Sequence, residues 1–304
     1  MNHRHWSYKH LLTTLISCLL LAFPLLLYAI PHLQRPSRLA EDRSLFQGIT
    51  YRREARSTPR PILIHVVTID LTAPGIGILV TPGRLTEDNT ELTARTTSEF
   101  LNEFDLQLAI NANFFYEFIE KTPWEFYPHS GDRVNAVGQA ISNGEQYSMP
   151  EAKWAVICFT ADNRAQIVSS GECPDGTRQA VAGSAMLVTQ GRTATIPPDS
   201  ADSDAAYSRT VVAIDQSGET LWIVAIDDKQ LFYSEGVTLP ELTAIVLELG
   251  ADAAINLDGG GSTTLVTETP SGTQILNAPI HTRIPMRERP VANHLGFYAQ
   301  PLKE

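Results

Sequence analysis

Basic residues are in short supply: 23 Lys and Arg stand against 34 Asp and Glu, a net charge of −11. Such a surface repels nucleic acid unless a local basic stripe intervenes. The only dense run, Arg283 to Arg289, is too short and too interrupted to form one, so nucleic acid is excluded as a partner. Cysteine is scarcer still, with three in the chain. Cys18 lies in an apolar stretch, which leaves Cys158 and Cys173, an even pair that suits an oxidising compartment. A hairpin of WAVICF and AQIVSS around Asp162 and Asn163 would set Cys158 opposite a residue near Ile167. Spacing therefore permits a disulfide without requiring one. No Cys or His spacing typical of a metal site occurs, and the eight histidines are scattered. The many carboxylates would accept calcium without specifying it, so no cofactor is assigned.

What is present begins with an apolar fraction of 43%, enough for a real core in one large or two ordinary domains. Leu11 to Ile30 carries no charge and follows Arg4 and Lys9 with no acid before it. That stretch is bilayer-spanning in length, longer than the apolar core of a secretory signal. Leu27-Tyr28-Ala29 is a poor cleavage site beside Pro31, and Cys18 is followed by apolar residues, unlike a mature lipoprotein start. Residues 1–30 are expected to form a tail and an uncleaved transmembrane helix, with a long signal peptide as the alternative. The Pro- and Arg-rich residues 31–44 read as a linker, and 45–302 as one domain.

Within that domain, PILIHVVTIDL, IGILVTP, LQLAI, KWAVICF, AQIVSS, AVAGSAMLV, RTVVAID and ETLWIVAID read as strands. A helix is expected near Thr96–Phe104 and another from Thr238. In the second, Thr238 and Glu241 form a capping box, and Leu242, Ile245, Val246 and Leu249 repeat at helical spacing. Gly250 follows where a left-handed cap is wanted. The fold class expected is α+β: a mixed β-sheet core with a few packed helices. Two segments echo each other, TSEFLNEFDLQLAINANFF and PELTAIVLELGADAAINLDGG. Both run helix, turn, apolar strand, then Ala-Ile-Asn and a polar residue two further on, so Asn111 with Asn113 matches Asn256 with Asp258. Two such strand ends could open onto one pocket, although chance similarity of two helix–strand units gives the same order.

The stretch AINLDGGGSTTL carries the chemistry. A phosphate-binding loop of the nucleotide type needs a lysine after its glycines, and a dinucleotide fingerprint needs its own glycine spacing at a helix start. Asp258-Gly259-Gly260-Gly261-Ser262-Thr263 has neither. A hairpin turn needs only two residues. Three glycines after an aspartate instead suggest a nest of backbone N–H groups for an anion, with the Ser262 and Thr263 hydroxyls adding donors.

INLDGGGSTTLV resembles the signature of the phosphodiester glycosidase domain family. AINANFF, SRTVVAID, SEGVTLPELTAIVLELGADAAINLDGGGST, ILNAPI and RERPVANHLGFYA follow in the family's order across most of residues 45–300. Ala112 stands where glycine is common, and Asp228-Lys229 replaces a frequent Gly-Arg. The resemblance implies hydrolysis of a sugar-1-phosphodiester between anomeric carbon and oxygen, releasing sugar and a phosphomonoester, on envelope or extracellular glycans. Arg35, Arg38, Arg43, Arg52, Arg53, Arg56 and Arg60 outnumber the basic residues before the span, which by charge alone would keep the domain inside. The resemblance nevertheless implies an extracytoplasmic domain, which the expected anchor would hold at the membrane. A phosphate leaving group is already a stable anion, so the site must neutralise charge more than it must protonate oxygen. Gly259, Gly260, Gly261, Ser262 and Thr263 would serve, with Arg209 as first choice of arginine and Arg289 as second. A carboxylate must act as base or nucleophile: Asp258 first, Asp227 as partner at the end of LWIVAID, Glu235 third. Asn111, Asn113, Asn256 and Asn293 have the donors and acceptors that suit sugar hydroxyls. His294 reads as a core residue. A non-catalytic glycan-binding or exopolysaccharide accessory protein would use the same pocket. So would a phosphodiesterase cutting the other side of the phosphate.

Overall fold

Central strands with no polar–apolar alternation require cover on both faces, and the architecture supplies it. The computed structural model describes residues 8–84, 90–195 and 205–303. The largest sheet has eight strands, in the order Glu41–Phe46, Ile49–Arg56, Ile62–Asp70, Thr220–Ile226, Arg209–Ile214, Ala253–Asn256, Ala185–Thr189, Arg192–Thr193. Each pairs antiparallel with its neighbour. Three α-helices are described: α1 (Tyr8–Gln34), α2 (Thr97–Glu103) and α3 (Leu239–Glu248). Along Ile62–Asp70 the side chains of Ile62, Ile64 and Val66 pack with Leu242, Ile245 and Val246 of α3. Val67 and Ile69 point the other way, into a core shared with two five-stranded sheets. One contains Leu265–Thr269, Leu108–Asn111, His294–Tyr298 and Gly77–Val80; its outer face holds Phe100 and Leu101 of α2 against Leu79, Leu106 and Val266. The other contributes Ile157, Phe159 and Val181. The molecule is α+β, sheet-rich with few helices.

Both helices that lie in the domain start as the sequence indicates. Thr238 and Glu241 close a capping box on α3, Thr96 and Glu99 close one on α2, and Gly250 takes a left-handed φ of 91° after α3. Other expectations change. AVAGSAMLV is two strands, Gln179–Gly183 and Ala185–Thr189, in different sheets. The chain crosses between them at Ser184, whose N–H donates to the Asn256 carbonyl at 2.9 Å. A side chain at Gly183 would come within 2.5 Å of that same oxygen. Glu41–Phe46, which begins in residues read as linker and runs into the domain, forms an edge strand of the large sheet, with Glu41 ion-paired to Arg53 at 2.8 Å. Its charges suit an exposed edge.

The expected hairpin places Cys158 opposite Gln166. Beyond Val168 the chain returns, and Cys158 bonds Cys173 with a Cα–Cα distance of 5.8 Å, within the usual range for a disulfide.

The N-terminal expectation is only partly met. α1 covers the uncharged stretch, and Leu11, Leu15, Leu19, Leu20 and Phe23 are exposed. Among the described residues, however, no helix is long and apolar enough to cross a membrane, so the expected transmembrane helix is not established. Side chains at positions 24–28 lie outside the description, as do residues 1–7 with Arg4. Just after the helix, Arg35 reaches the Gln230 side chain at 3.1 Å and Tyr233 donates its hydroxyl to the Pro36 carbonyl at 2.8 Å.

Candidate active site

The two echoing helix–strand units end at one place. Asp258 N–H donates to the Ala112 carbonyl at 3.0 Å, and the Asn111 side-chain amide donates to the Asp258 carbonyl at 2.6 Å. The Asn111 side-chain oxygen accepts from the Thr210 hydroxyl at 3.0 Å and from the Thr264 N–H at 3.1 Å. Asn111 thus braces the strand Leu108–Asn111 to the large sheet directly under the glycine turn.

Each glycine of that turn answers a separate demand. A Cβ on Gly259 would sit 2.5 Å from the Ser208 carbonyl. Gly260 has a φ of 60°, a region L-residues disfavour. A Cβ on Gly261 would lie 2.5 Å from the Arg289 guanidinium. The turn is a single 3₁₀ turn, Gly260–Ser262, and its amides are partly consumed internally. Gly260 N–H donates to Ser208, Ser262 N–H to Gly259 and Thr263 N–H to Gly260. The backbone nest therefore supplies fewer free donors than the sequence suggests, and positive charge comes from Arg289, packed against Gly261.

Arg289 is buried and donates to the Ser262 hydroxyl at 3.0 Å, to His281 Nδ1 at 3.3 Å, and through its other terminal nitrogen to the Glu120 carboxylate. The Phe118 ring lies 4.6 Å from the guanidinium carbon. Asp258 is buried beside this group. Desolvation pushes its carboxyl up to about 6, against the pull of a Ser262 hydrogen bond and the Arg289 charge. One chain of polar contacts thus runs Arg289, Ser262, Asp258. Glu120 is held down at about 2, first by its hydrogen bond with His281 and then by the Arg289 charge, with desolvation opposing. Burial lowers the His281 pKa below its usual value.

Asp227 lies elsewhere. It shares the face of Leu221, Ile223 and Ala225, which points between the sheets. One carboxylate oxygen accepts from Asn277 at 3.0 Å and the Ala278 N–H at 2.8 Å; the other meets His65 Nε2 at 3.0 Å. His65 Nδ1 meets the Tyr51 hydroxyl at 2.8 Å. Asn277 also donates to the Thr263 carbonyl at 3.0 Å, so Asp227 supports the turn from below rather than facing Asp258. Arg209 turns to the opposite face of its strand, reaching the carbonyls of Val237 at 3.4 Å and Ala205 at 3.2 Å. Glu235 sits by Pro61, whose carbonyl takes its N–H.

The asparagines are structural members. Asn113 donates to the Val137 carbonyl and accepts from Ala182 N–H and Asn293, each within 3.1 Å. Asn293 accepts the Asn113 N–H at 2.9 Å and donates to the Tyr147 hydroxyl at 3.2 Å. Asn256 donates to the Ser184 hydroxyl at 3.2 Å, leaving its buried oxygen unpartnered. The Thr263 and Thr210 hydroxyls lie 3.4 Å apart. His294 stacks on Phe100, and burial lowers its pKa to about 3. Among the described residues, no group of three or more His, Cys, Asp and Glu gathers to hold a metal.

Sequence reasoning passed over Glu120 and His281, which complete the Arg289 cluster, and Asp228, buried against Ser208 and raised by desolvation. Glu120 lies in the aromatic segment that shows no periodicity, where no local pattern singles it out. His281 was one of eight scattered histidines. Asp228 had a signal, since Asp-Lys there departs from the Gly-Arg the family often carries.

Solved structures share this fold, among them the following three. A hypothetical protein from Synechocystis matches with a TM-score of 0.59 and 17% identity over 87% of this chain, which spans 64% of that protein's length. The zebrafish N-acetylglucosamine-1-phosphodiester alpha-N-acetylglucosaminidase catalytic domain, auto-inhibited by its pro-peptide, matches at 0.59 and 17% over 88% of this chain and 87% of its own. A putative exported protein from Burkholderia pseudomallei K96243 matches at 0.59 and 12%, over 86% and 97%. At such identities these likenesses speak to fold alone. No curated protein sequence matches the chain. A sequence model described as phosphodiester glycosidase does, from residue 104 to residue 298. That match takes in α3, both echoing strand ends, the glycine turn and Arg289, and on it the chain belongs to the phosphodiester glycosidase family.

Proposed function

We propose that the chain hydrolyses a sugar-1-phosphodiester at the glycosidic C–O bond, on envelope or extracellular glycans. The observation that carries this is Arg289, hydrogen-bonded to Ser262 and gathered with the buried Asp258 carboxyl on the triple-glycine turn. Arg289 and Ser262 hold the phosphate, whose bridging oxygen takes the electron pair of the breaking C–O bond. Asp258, ionised, accepts a proton from the water that adds to the anomeric carbon, or adds there itself before water replaces it. Either way sugar leaves with a new hydroxyl and the phosphate departs as a monoester.

The test is product identity from a sugar-1-phosphodiester: free sugar and an intact phosphomonoester. A product that keeps phosphate on the sugar would overturn the assignment. Activity is expected to depend on pH with a defined sign. The Asp258 pKa is raised by burial to about 6. Below that pH the carboxyl is protonated and cannot act as base or nucleophile, so kcat/KM falls as pH drops through about 6. A flat profile between pH ~5 and ~7.5 would contradict this role for Asp258.

The proposal extends to location. A disulfide between Cys158 and Cys173 favours an oxidising, extracytoplasmic compartment, and exposed apolar side chains on α1 favour attachment to a membrane through residues 11–30. Fractionated cells should yield the chain with the membranes, its Cys158 and Cys173 resistant to thiol alkylation until reduced. Alkylation without reduction, or recovery in the cytosol, would remove this part.

A further inference from the structure

Glu120 stands out because it opposes the one cation that the proposed chemistry uses. It is carried to Arg289 by a small hairpin, Ile119–Glu120 paired with Phe126–Tyr127. The hairpin is held down by Phe118 against Arg289 at 4.6 Å, Phe126 against Arg287 at 4.6 Å, and Phe126 edge-on to His281 at 4.7 Å. Glu120 borders two open clefts. Lys121, Trp124 and Arg283 line one of them; Lys229, Leu231 and Arg283 line the other. The charges facing the anion position are Arg289 and, further off, Arg287, answered by Glu120 and Asp258, with His281 between them. Hydrolysis of the proposed kind turns a singly charged diester into a monoester that gains a second charge above pH ~6.

We infer that Glu120 sets the charge of the anion this site retains: by answering Arg289 it lets the subsite hold a monoanionic phosphodiester and release the dianionic phosphomonoester. The inference rests on the proposed function for its meaning, but binding tests it without turnover. Glu120 cancels the charge of Arg289 at the subsite, and its repulsion grows with the charge of the incoming phosphate, so a monoanion is tolerated better than a dianion. Glu120 is thus a specificity residue and takes no part in bond breaking. It also speeds turnover by limiting product retention.

The probes are methyl phosphate, a dianion at about pH 8, and dimethyl phosphate, a monoanion throughout, titrated into the full chain by calorimetry or ligand-observed NMR. In wild type, methyl phosphate is expected to bind more tightly at about pH 5 than at about pH 8, while dimethyl phosphate changes little. Glu120→Gln keeps an acceptor for Arg289 and removes the charge. It should tighten methyl phosphate at about pH 8 by about tenfold and dimethyl phosphate by less than about threefold. Equal tightening of both, or none, would overturn the inference, as would wild type already favouring the dianion. Should Glu120→Gln fail to fold, Glu120→Ala is read at about pH 8, where Asp258 is ionised in both proteins, and must show the same split between the two probes. Failure of the proposed hydrolysis would appear separately, as absent turnover with this binding pattern intact.

Discussion

Asp258→Asn is expected to lower kcat for sugar release by at least about a thousandfold, while the thermal midpoint stays at or above that of wild type. The two halves of this expectation have one cause. The carboxyl is buried beside the turn, and desolvation raises its pKa to about 6. A group whose folded pKa is raised contributes its stability below the unfolded pKa and loses it as pH rises through the folded value. At neutral pH the ionised form is therefore a cost to the fold, and the neutral amide removes that cost. The same amide cannot take a proton from water or attack a carbon. Calorimetric melting alongside product release at about pH 7.5 checks both halves. A variant that melts as wild type and turns over within about threefold of it would show that Asp258 is a scaffold residue.

Arg289→Met is expected to cost about 10²- to 10³-fold in kcat/KM, the size usual for losing one preorganised partner of developing charge. Here the loss has a second component. Glu120 would keep its carboxylate without the guanidinium that answers it, beside a vacated subsite. An unpaired, half-buried charge repels the phosphate as well as failing to bind it. The double variant Glu120→Gln with Arg289→Met should recover part of the KM and none of the kcat. A full recovery of both would mean that Arg289 only neutralises Glu120 and does not meet substrate.

Much of this was legible in the chain, and what was not follows from direction rather than from residue type. The helix near Thr96, the capping box at Thr238 and the apolar strands declare themselves locally, because spacing and composition act within a turn or a strand. The glycine run announces close approach, and the neighbours it admits are Ser208 on one side and Arg289 on the other. Asp227 was selected because it ends an apolar strand next to polar sequence. Strand parity, however, puts its side chain with Ile223 and Ala225 between the sheets, toward His65. Arg209 turns by the same parity: Thr210 faces the turn, and the Arg209 guanidinium reaches the carbonyls of Val237 and Ala205. The asparagines show the limit of residue type, since an amide suits a sugar hydroxyl and a backbone carbonyl equally. Nothing local tells which Asn111 will meet. Glu120 depends on a hairpin more than a hundred residues before its partner, with no periodic pattern to place it.

The brace made by Asn111 has a dynamic consequence. Its bonds to the Asp258 carbonyl, Thr210 and Thr264 join the small sheet to the large one beneath the reacting group. Loosening the floor of the site would require parting the two sheets, which is unfolding of the whole domain. Amide protons at Asp258 and Thr264 then exchange with solvent only through global opening. Any freedom needed to admit a bulky glycan is left to the rim, where Trp124 and Phe118 stand exposed on the hairpin that carries Glu120.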